Sequence, residues 1–111
     1  MSEPWIGVDF DGTLAKRVEN PQSENVTGLP IWKMVEMIRG LRAQGQKVKI
    51  FTARAWPPPG DPEKIEAVRE WCVRYIGEAL PVTCSKDPDC VAIYDDIAYG
   101  VVPDEGEVIG G

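Results

Sequence analysis

The sequence predicts an α/β domain, a three-layer sandwich on a mostly parallel, Rossmann-like sheet. Three observations carry the prediction. Short apolar or β-branched runs alternate with stretches of helical periodicity, the pattern of strand–helix–strand crossovers. The chain has 111 residues, the length of one domain, and 43% of them are hydrophobic, enough to build one core without staples. Acidic or hydroxyl residues close three of the strand-like runs, at Asp9, Thr52 and Asp95-Asp96. In open parallel sheets, ligands bind beyond the carboxyl ends of the strands, so these residues should share one rim.

Trp5-Ile6-Gly7-Val8 is a short apolar run that ends at Asp9 and reads as a buried strand. Residues 15 to 28 are polar, hold Asn20-Pro21 and Gly28, and read as an irregular excursion. Pro30 suits the first turn of a helix; Ile31, Met34, Val35, Ile38 and Leu41 follow helical spacing, and Gly45 is a stop. Lys47 to Thr52 is a strand of β-branched and aromatic type. Trp56-Pro57-Pro58-Pro59-Gly60 excludes regular structure and marks a rigid loop. Asp61-Pro62-Glu63 is a helix start: a cap, a proline at the first position and an acid in the first turn. Ile65, Val68, Cys72, Tyr75 and Ile76 give that helix its apolar stripe, and Gly77 ends it. Pro81 to Cys84 reads as a short strand and Val91 to Tyr94 as a clearer one. Tyr99 to Val102 would add an edge strand before Pro103. Residues 1–103 thus form a single domain, and 104–111 read as a polar, glycine-rich tail.

Eighteen acids against twelve bases give a net charge of −6. That balance argues against polymeric nucleic acid as a partner, whose binders carry a basic face. A small phosphorylated substrate is compatible with it, because a local field can oppose the net one. No stretch approaches the roughly 20 apolar residues of a membrane span. Met1-Ser2-Glu3-Pro4 lacks the basic and apolar regions of a signal peptide. The three cysteines, an odd number, fit reduced thiols, and a cytoplasmic location is the expectation. Cys84 and Cys90 form no CxxC, and the chain has no His, so the four ligands of a structural zinc site are missing.

Asp9 and Asp11 flank one residue at the point where a strand runs into a glycine turn. Asp-Gly is ordinary turn chemistry. Three acidic positions converging on one rim are harder to explain that way, because clustered carboxylates repel and raise each other's pKa unless a cation joins them. An oxygen-rich site of this type suits Mg²⁺, which uses one or two carboxylates and keeps several waters. Thr52, followed by Ala53 and Arg54, offers a hydroxyl and free backbone N–H groups of the kind that hold phosphate oxygens. Lys86, in Thr83-Cys84-Ser85-Lys86-Asp87, is ordinarily a solvated charge and gains weight only beside a phosphate site, where a cation is needed.

Asp9-Phe10-Asp11-Gly12-Thr13-Leu14 resembles motif I, DxDGT, of the haloacid dehalogenase (HAD) superfamily. Thr52 matches motif II, Lys86 motif III, and Asp95-Asp96 motif IV in its DD form; the four stand in the family's order and span about residues 5 to 100. The chain further resembles the small phage- or prophage-type HAD hydrolases that carry no cap domain. The resemblance implies a phosphatase. Asp9 would attack phosphorus and form an aspartyl-phosphate. Asp11 would protonate the leaving oxygen and then deprotonate the hydrolytic water. Mg²⁺ would be held by the Asp9 carboxylate, the Asp11 carbonyl and motif IV, with Asp96 the direct ligand and Asp95 behind it. Thr52 and Lys86 would bind the phosphoryl group, aided by the N–H groups near Phe10 and Ala53. Asp11 selects phosphoryl transfer, because dehalogenases of this family lack an acid there. The substrate expected is a small phosphomonoester, a sugar phosphate or a nucleotide.

Two departures from the family pattern follow from spacing. Only four residues separate Lys86 from Val91, whereas a parallel crossover takes a dozen or more. The seven steps from Cys84 to Val91 span roughly 24 Å fully extended, so either residues 82–84 are not a full strand or the chain crosses the sheet in extended form. Residues 15 to 28 are too few for a folded cap and suit only a flap, so the site should be open to large substrates or to a lid from a second copy of the chain. Lys16, Arg17, Arg54 and Trp56 are candidates to line its entrance. Two other readings compete. A receiver domain has a similar acidic site but places its paired acids early and its acceptor Asp on a middle strand, the reverse of the order here. A non-catalytic phosphate- or Mg²⁺-binding module on the same scaffold is the other.

Overall fold

The computed structural model describes residues 3–18 and 26–110. It is an α/β fold with a mostly parallel, Rossmann-like sheet and, among the described residues, no cap. Strands β1 (Trp5–Val8), β2 (Lys47–Phe51), β3 (Val82–Thr83) and β4 (Cys90–Tyr94) lie in the order β3-β2-β1-β4, and every pairing is parallel. Helix α1 (Trp32–Ala43) connects β1 to β2, and α2 (Pro62–Tyr75) connects β2 to β3.

Register assigns the faces. Ile6 pairs with Val48 and Val8 with Ile50, so these four point to one side. Val8, Val48 and Ile50 form a single core with Val35 and Ile38 of α1 and Val68, Trp71 and Cys72 of α2. Both helices therefore cover the same face, as two right-handed crossovers in one direction require. The third layer is not helical. Trp5 lies on the opposite face, 2% exposed, over Gly7, where a Cβ would sit 3.2 Å from the indole. Its Nε1 donates to Asp87 Oδ1 at 2.8 Å, and Lys49 Nζ lies 4.6 Å from the ring centre. The chain between β3 and β4 crosses here without a helix. The short connection is resolved both ways: β3 is only two residues long, and a non-helical segment returns across the sheet to Asp89, whose carbonyl accepts from Trp5 N.

Helix α2 begins as its sequence predicts, with Asp61 Oδ1 accepting from Glu63 N at 2.8 Å and Pro62 at the first turn. Helix α1 starts at Trp32, two residues after the expected Pro30. Pro30 instead bridges to Ala15, and Ile31 N donates to Leu14 O at 2.7 Å, so the chain is still extended there. The flap expected over 15–28 is rooted by these bonds and by Lys16 N to Leu29 O at 2.8 Å; its residues 19–25 lie outside the described ones.

The C-terminal reading needs correction. The expected tail contains strand β6 (Val108–Ile109), paired antiparallel with β5 (Gly100–Val101). β5 belongs to this hairpin and not to the main sheet, because a turn through Asp104, with φ +62°, folds the chain back on itself. The cysteines are free thiols, and burial pushes Cys72 up to about 11. Among the described residues no helix is long and apolar enough to cross a membrane.

Candidate active site

β1 and β2 end within one hydrogen-bonded register, and β4 runs alongside β1, so Asp9, Thr52 and Asp95 emerge on the same rim. They line a cleft of about 460 Å³ together with Asp11, Ala53 and Arg54; Phe51, Trp56, Cys84 and Ile97 give it an apolar side. Convergence of three segments, expected from strand ends alone, is what the fold delivers.

After β1 the chain turns sharply. Thr13, Leu14 and Ala15 N–H groups all donate to Phe10 O, at 3.2, 3.0 and 2.9 Å. Gly12 takes φ +91°, a conformation that favours glycine. A Cβ there would lie 2.7 Å from Asp96 Oδ2 and 2.8 Å from Arg17 Nε. This turn aims Asp9 and Asp11 differently. The Asp9 carboxylate faces Asp95 and Asp96, and the three each offer an oxygen within 4.8 Å of the others. The Asp11 carboxylate faces the β2 side, where Arg54 grips both its oxygens, Nε to Oδ2 at 2.7 Å and Nη2 to Oδ1 at 2.8 Å. Phe10 turns its ring into the core, edge-on to Trp71 at 5.1 Å.

Electrostatics separates the acids. Burial, a hydrogen bond with Asp96 and the charge of Asp95 push Asp9 up to about 7, although the Phe10 N–H works against them. Partial burial would raise Asp96 too, but hydrogen bonds from Arg17 and Thr13 outweigh it and hold Asp96 below the ordinary carboxylate value. Arg17 Nη2 lies 3.0 Å from Asp96 Oδ2, and Thr13 Oγ1 donates to Asp96 Oδ1 at 2.9 Å while accepting from Asp96 N at 3.1 Å. Three carboxylates so close, one forced towards its neutral form, make a donor set suited to a hard divalent cation such as Mg²⁺. Asp95 lines the cleft, whereas Asp96 is engaged by Thr13 and Arg17. Asp95 Oδ1 is engaged as well, accepting from Ile97 N at 3.0 Å, so both acids offer an oxygen to the cluster with Asp9.

Thr52 is 3% exposed and caps the short 3₁₀ turn Ala53–Ala55, its Oγ1 accepting from Arg54 N at 3.1 Å. Lys86 is exposed on the crossing segment and is not among the residues that line the cleft. The next residue, Asp87, accepts from the indole of Trp5 at the start of β1. Sequence reasoning assigned Arg54 only to the entrance and gave Thr13 no part; the signals were a hydroxyl four residues after Asp9 and an arginine two after Thr52.

No protein-family model matches this chain, and no curated protein does. A solved structure, that of the conserved protein coded by a locus from Bacteroides thetaiotaomicron, is similar over 89% of this chain and 80% of its own, at 25% identity and a TM-score of 0.61. The likeness is one of fold.

Proposed function

We propose that the chain is a Mg²⁺-dependent phosphohydrolase of the HAD type that acts on a small phosphomonoester. The observation that carries the reading is the meeting of Asp9, Asp11, Thr52 and Asp95 around one cleft at the carboxyl ends of β1, β2 and β4. An Asp9 oxygen attacks phosphorus, the bond from phosphorus to the leaving oxygen breaks, and Asp11 supplies the proton that oxygen takes up. Asp11 then accepts a proton from the water that cleaves the aspartyl-phosphate, which restores both acids. To carry a proton, Asp11 must first give up one of its two contacts with Arg54. Thr52 Oγ1 and the Ala53 N–H steady the phosphoryl oxygens. Asp9, Asp95 and Asp96, with the Asp11 carbonyl, would hold Mg²⁺, whose charge would let an anionic nucleophile approach an anionic phosphate.

A cleft of about 460 Å³ is at the small end of ligand sites, which supports a sugar phosphate or nucleotide. Ile97, exposed at the cleft and followed in sequence by exposed Tyr99 and Val101, supports a second copy shielding the open rim, which sedimentation of the intact chain reads directly. The decisive experiment is release of phosphate from p-nitrophenyl phosphate with Mg²⁺ or with EDTA. Asp9→Asn is expected to lower turnover by at least ~10⁴-fold while the melting transition stays cooperative, as loss of a nucleophile does. Turnover that survives the substitution would refute the assignment.

A further inference from the structure

We propose that Arg54 is the cation that receives the substrate's phosphoryl group, the part that the sequence resemblance gives to Lys86; the proposal rests on the phosphohydrolase reading above. A phosphate held next to an attacking carboxylate needs a positive partner inside the cleft. Three cations compete for the part. Lys86 is exposed on the segment that crosses the far face of the sheet, and it does not line the cleft. Arg17 lines the cleft, but its side chain is 60% exposed and is spent on Asp96. Arg54 lines the cleft with a side chain only 15% exposed, its guanidinium 5.4 Å from the centre of the Phe10 ring.

Arg54 also presents the right donors. Nε and Nη2 hold the two oxygens of one carboxylate at 2.7 and 2.8 Å, a fork that matches two oxygens of a phosphate equally well. Its position is fixed from three sides. The backbone N–H is tied to Thr52 Oγ1, Nη2 also reaches Val26 O at 2.8 Å, and the guanidinium packs on Phe10. Because Thr52 Oγ1 accepts from Arg54 N, it retains its own proton to donate to the same phosphate. Asp11 thus occupies the edge of Arg54 that a phosphate dianion would take. When the dianion takes that edge, Asp11 is released with both oxygens open, and the residue that binds the phosphate is the one that makes the acid available.

The test compares Arg54→Ala, Arg54→Lys and Lys86→Ala in the intact chain, with Mg²⁺, p-nitrophenyl phosphate as substrate and orthophosphate as competing inhibitor. Removing a charge-assisted fork is expected to raise both KM and the orthophosphate inhibition constant about ten- to a hundredfold in Arg54→Ala. Arg54→Lys is expected to recover part of this, because an ammonium keeps the charge but not the fork; it also carries the test if the alanine variant fails to fold. Lys86→Ala is expected to stay within about twofold of the parent, as removal of a solvated charge does. Two results would overturn the assignment alone: Lys86→Ala weakening orthophosphate while the Arg54 variants do not, or Arg54→Ala lowering kcat with KM and orthophosphate inhibition unchanged. A parent chain without Mg²⁺-dependent turnover overturns the phosphohydrolase reading and this assignment together.

Discussion

Gly12 shows how far one residue can control the site. It sits at φ +91°, and the space where a side chain would start is filled by the Asp96 carboxylate and the Arg17 guanidinium. Gly12→Ala is expected to cost about 1–3 kcal/mol, from the left-handed backbone and from pushing apart the Arg17–Asp96 pair. Urea denaturation of the two chains measures it, and a loss below a few tenths of a kcal/mol would show that the turn relaxes freely. The acids on either side of this glycine were legible in the sequence because strand ends and turn chemistry are local. The division of labour between them was not. Asp11 pairs with a residue 43 positions away, and Asp96 with residues 79 and 83 positions away, so no window of sequence contains both partners.

At the scale of elements, the informative piece is the far face of the sheet. Two helices in one direction leave that face uncovered, and Trp5, at 2% exposure, closes part of it together with the crossing segment. Trp5→Ala is expected to cost about 3–5 kcal/mol, the range for truncating a buried Trp, and to speed amide exchange in residues 86–89, which lose their anchor at Asp87. Thermal unfolding with residue-level exchange tests this; a small loss confined to β1 would show that the segment holds itself. Strand and helix positions were readable from periodicity, including the Asp61 cap and the ends at Gly45 and Gly77. The hairpin of β5 and β6 was not, because two-residue strands have no period to detect and their pairing depends on a turn at a non-glycine residue, Asp104.

For the whole molecule, the metal site proposed at the acidic rim would link pH, metal and stability. Asp9 has its pKa raised to about 7 in the folded chain, against an ordinary value of 3.8. The folded state therefore holds a proton between those values that the unfolded chain releases. Its stabilising contribution is complete below pH ~4 and is lost as pH rises through about 7. Asp96, shifted downward, stays ionised through that window. A cation that takes the place of the proton reverses the trend, so Mg²⁺ should bind more tightly as pH rises from 6 to 8. At a hundredfold excess over its dissociation constant it adds about 2.7 kcal/mol. Melting curves with and without Mg²⁺ are expected to show a larger upward shift at pH 8 than at pH 6. An equal shift at both would mean that Asp9 does not compete with a proton for the metal.

The sequence by itself determined the strand ends that carry Asp9, Thr52 and Asp95-Asp96, and with them the α/β class and the rim. Those features follow from periodicity, caps and turns, which act over a few residues. Only the tertiary structure decided which face the helices cover, that Trp5 and an extended crossing replace a third helical layer, and which side chains meet in the cleft. Lys86 and Arg54 are both single basic residues in the sequence, with nothing local to rank them. The crossing segment leaves one exposed and outside the cleft lining, and a turn capped by Thr52 carries the other into it. Contacts between residues dozens of positions apart depend on how the layers close, and that is a property of the packed chain.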